Sequence, residues 1–438
     1  MDGECRQPKS PAPSAGVLMS VFFSPPQPLG IFPYPAGLLL LPDCNESTAE
    51  AARAALMRGA VPDVMPTAWH FMGDALEGQI DAALAALRDD PSPLAGYNRF
   101  VLGGDEAGCR RALNSGDAVL QAMTATAMFV QGAVDELPSD TLVHGELRAN
   151  VLMARAAASL DAGHEADAAA RLAEGIAACQ HSSPVLAAQL TAQLAQLQPN
   201  LPEASVQRTV SLWRSAIALA ADTPLPHLRG DLRIGLAVTL HEASGDRRDM
   251  LVEAVKTYQD ALHHGITLDD TPETYALAQN NIGLAYLSMP MTDAGDKLRH
   301  AVAVQSFREA LKVYTPETHL EAWASTMLNM ANALQYLPSA RPEEHLIQAV
   351  ETYEQLLEVR NKATDPLGYA RLLANQANAL AHLGMFQPAT EKFTEAHKLL
   401  HWHGEADLAA SILEQLERIN TQLATVAIGG DGSSEGDR

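Results

Sequence analysis

The chain has 438 residues, 47% of them hydrophobic but only 5% aromatic, so it can bury a large core but must close it mainly with Ala and Leu; few β-branched residues favour helix over sheet. Thirty basic against fifty-three acidic residues give a formal charge of -23, which repels phosphate backbones and argues against a nucleic-acid ligand. Cys5, Cys44, Cys109 and Cys179 are far apart and form no C-x-x-C pair, so neither a disulfide framework nor a zinc knuckle is indicated and a reducing cytoplasm fits best.

Residues 1–45 read as an irregular, Pro-rich arm. The stretch from Gly16 to Leu41 is apolar, but Pro25, Pro26, Pro28, Pro33 and Pro35 interrupt it, and a membrane helix needs ~20 unbroken residues. Arg6, Lys9 and Gly16 to Phe23 imitate the start of a secretory signal, yet Ser24-Pro25-Pro26 spoils the small-residue cleavage site. The arm is expected to lie along the first helices or to be partly disordered, and Met19 could be the true start.

Residues 46–224 carry weaker helical signals in pairs. Thr67 to Leu76 and Gln79 to Leu87 form a short pair closed by Asp90-Pro91. Asn150 to Gly163 and Ala166 to Ile176 form another with Gly163 as its turn, and Pro184 to Leu197 with Ser205 to Ala221 a third. These read as divergent repeats, since terminal repeats are expected to be atypical.

Residues 225–402 contain a plain period. Ile234-Gly235-Leu236-Ala237, Ile282-Gly283-Leu284-Ala285, Met330-Ala331-Asn332-Ala333 and Gln376-Ala377-Asn378-Ala379 align, with steps of 48, 48 and 46 between their small residues. Each small residue is followed by a second amphipathic pattern centred on one aromatic: Ala254, Val255, Tyr258, Ala261 and Leu262 first, then equivalent sets around Phe307, Tyr353 and Phe393. The unit is a helix with a close-approach point, a turn, and a helix packing back onto it. Asp270-Thr271-Pro272, Thr315-Pro316 and Asp365-Pro366 separate the units. A single hairpin cannot bury both faces, so the expected fold is all-α, a superhelical solenoid of stacked αα-hairpins with a concave groove, and the family resemblance given below implies a right-handed superhelix.

The spacing of 12 from Ala377 to Ala389, with Phe393 and Ala396 following, resembles the tetratricopeptide repeat. The three preceding units keep the same residues at spacings of 19, 20 and 18, so they are similar to the long-period tetratricopeptide arrays of bacteria, with lines of the type Gln279-Asn280-Asn281-Ile282-Gly283-Leu284-Ala285-Tyr286. Residues 403–424 then read as a single polar-faced capping helix from Glu405 to Leu423, and residues 425–438, rich in Gly, Ser and acid, as a disordered tail.

No G-x-S-x-G elbow, Walker-type loop or H-E-x-x-H is present, so no catalytic residue, cofactor or metal site is assigned. His397, His401 and His403 lack acidic or thiol partners at ligand spacing, and His263-His264 sit where a helix dipole favours a cation. The polar pattern above background lies on the first helices: Asn281, Asn329 and Asn375 stand two residues before the small residue, and Asn332 and Asn378 one after it. The resemblance implies that this face lines the groove, where asparagine ladders grip extended peptides. A side-chain amide can bond both N–H and C=O of a partner main chain, although Asn at these places also belongs to the ordinary repeat consensus, where it can bond within or between hairpins. Arg229, Arg233 and Arg371 are candidate anchors for a carboxylate, and Tyr336 for an apolar side chain. The lysines of the carboxylate-clamp subfamily have no equivalent beside these asparagines.

The expected function is a non-catalytic cytoplasmic scaffold or adaptor whose partner is another protein, with no nucleic-acid or membrane partner, and with an uncapped end open to self-association. Met289-Pro290 and Leu337-Pro338 loosely resemble turns of accessory proteins that mature bacterial metalloenzymes such as hydrogenases, which implies an assembly chaperone as an alternative. A sensor or enzyme with its chemistry in residues 46–224 is the third reading.

Overall fold

The structure, a computed structural model, describes residues 19–290, 298–337 and 341–430, with the backbone alone for residues 422–430. Among the described residues there is no strand, and no helix is long and apolar enough to cross a membrane. The chain divides into two compact units, Met1–Thr239 and Leu240–Arg438, and each is an all-α stack of hairpins.

In the first unit the helices are α1 (Ala49–Met57), α2 (His70–Leu76), α3 (Ile80–Ala86), α4 (Pro93–Gly103), α5 (Glu106–Leu113), α6 (Ala118–Val130), α7 (Gly145–Asp161), α8 (Glu165–Cys179), α9 (Pro184–Leu197) and α10 (Val206–Leu219). Helix α11 (Pro226–Glu242) carries the division between the units. From α2 onward to α10, each helix packs on the next, as short connections require. The three helix pairs read from the sequence occur at α2–α3, α7–α8 and α9–α10, and Gly163 makes the α7–α8 turn with φ +75°, a conformation that glycine takes without strain.

The Pro-rich arm is irregular, with one short 3-10 turn at Ala36–Leu38, but it belongs to the core. Phe23, Leu29, Leu39, Leu40 and Leu41 are fully buried. Buried extended backbone must still be hydrogen-bonded, and side chains of the helices supply the partners. Asn98 of α4 closes on one residue of the arm: Leu40 N–H donates to Asn98 Oδ1 at 3.0 Å, and Asn98 Nδ2 donates to Leu40 O at 2.8 Å. Within the arm, Gln27 treats Leu41 in the same way, at 2.8 and 3.2 Å. Tyr97 Oη donates to Leu38 O at 2.7 Å, and Gln27 N–H donates to the buried Glu146 carboxylate at 2.9 Å. The arm is therefore threaded into the unit rather than laid over it; residues 1–18 lie outside the described residues.

Helix α5 starts on an acidic cap. Asp105 Oδ1 accepts from Gly108 N–H at 2.9 Å while Oδ2 takes Arg99 Nε at 3.0 Å. Burial opposes its ionisation, but the Gly108 N–H and the Arg99 and Arg111 guanidiniums outweigh it and hold the carboxyl below the ordinary Asp value. A depressed carboxyl stabilises the fold above its unfolded pKa and loses that contribution as pH falls through the folded one. Asp105→Ala is expected to cost ~1 kcal/mol at neutral pH and progressively less in acid, as read by urea unfolding of wild type and variant across pH. A pH-independent difference would mean that the charge of the cap contributes nothing.

In the second unit the helices are α12 (Arg248–His264), α13 (Pro272–Ser288), α14 (Leu298–Ala310), α15 (Leu320–Leu334), α16 (Pro342–Val359), α17 (Pro366–His382), α18 (Phe386–Trp402) and α19 (Ala406–Gly430), each packed on the next. The aromatic column of the second helices is its spine: Tyr258, Phe307 and Tyr353 are fully buried and Phe393 nearly so. The small-residue column is their seat. A Cβ added at Gly283 would lie 2.6 Å from Cε1 of Phe307, and in the first unit one at Gly235 would overlap the indole of Trp213. Helix α19 runs past Leu423 to Gly430, so residues 425–430, expected in the tail, are helical. Residues 431–438 lie outside the described residues.

Candidate functional site

The first helices of the second unit meet along a polar face. Thr326 Oγ1 of α15 donates to Asn280 Oδ1 of α13 at 3.1 Å, and Asn375 Nδ2 of α17 donates to Asn332 Oδ1 of α15 at 3.2 Å. These contacts set α13, α15 and α17 side by side. On α15, Thr326, Asn329 and Asn332 are spaced by three and share that face; on α17 so do Asn375 and Asn378.

The amides on this face are not equivalent. Tyr353 Oη donates to Asn332 Oδ1 at 2.6 Å and accepts from Gln335 Nε2 at 2.7 Å. With Asn375 also donating to it, the Asn332 oxygen has both lone pairs engaged. Asn281 Nδ2 donates to Tyr258 Oη at 3.2 Å, and Asn280 Nδ2 to Asn281 Oδ1 at 3.4 Å. Burial pushes both tyrosine hydroxyls well above the ordinary phenol value, so each remains a neutral donor and acceptor. Asn281, Asn332 and Asn375 thus tie hairpins together. Asn329 and Asn378 are half-buried and make no hydrogen bond among the described residues.

Around this face, Arg371 is exposed on α17, and Tyr336 is 65% exposed with its ring 6.1 Å from that of His300. Arg229 and Arg233 belong to the first unit: Arg233 Nη1 donates to Arg229 O at 2.7 Å, and Arg229 Nε is sealed without a hydrogen-bond partner. The Asn columns with Arg371 and Tyr336 therefore lie on one compact unit, and the other two arginines on the other. Asn280, Thr326 and Gln335 were not singled out by spacing. The alternation of Tyr and Phe in the aromatic column is the signal that could have found Gln335, because the hydroxyls of Tyr258 and Tyr353 are the ones answered by amides; Asn280 and Thr326 bond away from the tyrosines and carry no such signal.

His397 and His401 stack with near-parallel rings 5.9 Å apart, and among the described residues no group of three or more His, Cys, Asp or Glu could hold a metal ion. His264 Nδ1 lies 2.7 Å from Asp260 O one turn earlier, which fits a donor at a helix end.

No family model matches the chain, and no curated protein does. Among solved structures it is similar to the Rap protein complexed with competence and sporulation factor, at 13% identity and a TM-score of 0.37, over 81% of this chain and 94% of that one. It is also similar to the P58(IPK) TPR domain, at 15% identity and a TM-score of 0.27 over 82% and 98% of the two chains. A third likeness is to the Naa15/Naa10 complex bound to HypK-THB, at 16% identity and a TM-score of 0.27 over 83% and 57%. The stacked-hairpin fold rests on the chain's own repeat, a small residue on each first helix and a buried aromatic on each second.

Proposed function

We propose that the chain is a non-catalytic cytoplasmic scaffold that holds an extended segment of another protein along the first-helix face of α13, α15 and α17. The observation that supports this reading is the pair of uncommitted amides, Asn329 and Asn378, set beside the Asn332–Asn375 link on a half-buried polar face. Each offers a donor pair and an acceptor to a partner main chain. The chain already uses that chemistry on itself where Asn98 clasps both backbone groups of Leu40. Arg371 would pair with a carboxylate of the bound segment, and Tyr336 would cover an apolar side chain.

A photo-crosslinking residue placed at 329 in the native host, followed by mass spectrometry, identifies the segment that lies there. With that segment purified, Asn329→Ala combined with Asn378→Ala is expected to weaken binding about 5- to 150-fold, since one bond lost at each amide is worth about 0.5–1.5 kcal/mol net. The helical circular-dichroism signal should not change, because neither amide ties helices together. Undiminished affinity in the double variant would place the partner elsewhere.

A further inference from the structure

Four rings form the aromatic column of the second helices, and only Tyr258 and Tyr353 carry a hydroxyl; Phe307 and Phe393 stand at the equivalent places. Each hydroxyl is answered by an amide. Tyr258 Oη accepts from Asn281 Nδ2, on the first helix that follows it, at 3.2 Å. Tyr353 Oη donates to Asn332 Oδ1, on the first helix of its own hairpin, at 2.6 Å, and accepts from Gln335 Nε2 three residues further along at 2.7 Å.

Carried along the repeat, these two contacts account for both uncommitted amides. Asn329 holds on α15 the place that Asn281 holds on α13, two residues before the small residue, and the second helix that precedes it, α14, brings Phe307 instead of a tyrosine. Asn378 holds on α17 the place that Asn332 holds on α15, and the second helix of its own hairpin brings Phe393. Elsewhere the chain matches ring to neighbour: in the hairpin of Phe307 the places of Asn332 and Gln335 are filled by Leu284 and Leu287, which pack on the cluster that holds that ring. An amide kept where the ring offers no hydroxyl gains no bond inside the scaffold, although an apolar side chain there would gain contact.

We propose that Phe307 and Phe393 determine the specificity of the groove: by withholding a hydroxyl they leave Asn329 and Asn378 open to the main chain of a bound segment, while Tyr258 and Tyr353 commit the neighbouring amides to the scaffold. The rings are positioning residues, since they act through the amides and do not touch the segment. A free amide presents a donor pair and an acceptor, so the group that it recognises is a peptide bond of the partner. What the free amides bind rests on the groove reading; which amides are free rests on the rings alone.

The test uses the full chain labelled with nitrogen-15 asparagine, in which NMR reads the side-chain amide of each Asn without any bound segment. Phe307→Tyr is expected to shift the Asn329 resonances and slow their exchange with water about 2- to 13-fold, the worth of one net hydrogen bond, leaving Asn378 unchanged. Phe393→Tyr should do the same to Asn378 alone. Tyr258→Phe, the conservative reverse change, should speed exchange at Asn281 by the same factor. Phe307→Leu removes the ring without adding a hydroxyl, so it should lower stability and leave Asn329 exchange as it is. With the segment crosslinked at 329 made as a synthetic peptide, Phe307→Tyr should weaken binding as much as Asn329→Ala, and the two together no more than either alone. An Asn329 amide unmoved by Phe307→Tyr, an Asn281 amide unmoved by Tyr258→Phe, or full affinity in Phe307→Tyr where Asn329→Ala binds weakly would each overturn the proposal. Full affinity in Asn329→Ala with the resonance changes in place overturns the groove reading, and the main-chain ligand with it, so the two failures are told apart.

Discussion

A chain lacking residues 1–45 is expected to lose its first compact unit altogether. Full burial of a Leu or Phe side chain is worth about 1.5–3 kcal/mol, so removing Phe23, Leu29, Leu39, Leu40 and Leu41 takes away on the order of 10 kcal/mol, comparable with the ~5–15 kcal/mol that stabilises a whole domain. Loss of the arm also strands Asn98, Tyr97 and Glu146, whose polar atoms are aimed at its backbone. Limited proteolysis with mass spectrometry would show residues 46–239 digested in the truncated chain and protected in the full one. A subtler variant separates the hydrogen bonds from the apolar burial. Asn98→Leu keeps the size of the side chain but leaves Leu40 N–H and C=O buried and unpaired, at about 1–3 kcal/mol each. A truncated chain with intact protection of α4–α7 would show that the arm is an attachment and not part of the core.

Phe307→Ala is expected to destabilise the second unit by ~3–5 kcal/mol, the cost of a large cavity at a fully buried ring. The specific claim is that Gly283 and Phe307 form one lock, so their variants should not be additive. Gly283→Ala gains about 1 kcal/mol of helix propensity but overpacks against the ring, a cost of about 1–3 kcal/mol. Combined with Phe307→Leu, which withdraws the ring atoms that a methyl at 283 would meet, the same substitution should become favourable. Urea unfolding of the two singles and the double closes the cycle. If Gly283→Ala costs the same with Phe or Leu at 307, the ring is not what demands the glycine.

The repeat was legible because its physics is local and periodic. A helix pair that must bury one face against the next repeats its small and aromatic residues at a fixed interval, and Gly283 with Phe307 shows why those two columns exist. The helix pairs upstream were readable for the same reason, from Pro, Gly and apolar spacing. The Asn columns were legible as positions, but their chemistry was not. Which amide is consumed depends on whether a neighbouring second helix presents a hydroxyl, and that is a matter of packing between residues 21 to 43 apart, such as Asn332 with Tyr353 and with Asn375.

By itself, then, the sequence determined the all-helical class, the period of the hairpins and the residue types at their contacts, because helical periodicity is written in neighbours three and four residues away. Tertiary structure alone decided the rest. It drew the Pro-rich arm into the core, since a segment with few backbone donors and many leucines is buried only if distant side chains such as Asn98 and Glu146 complete its hydrogen bonds. It also separated Asn329 and Asn378 from the amides that are already engaged.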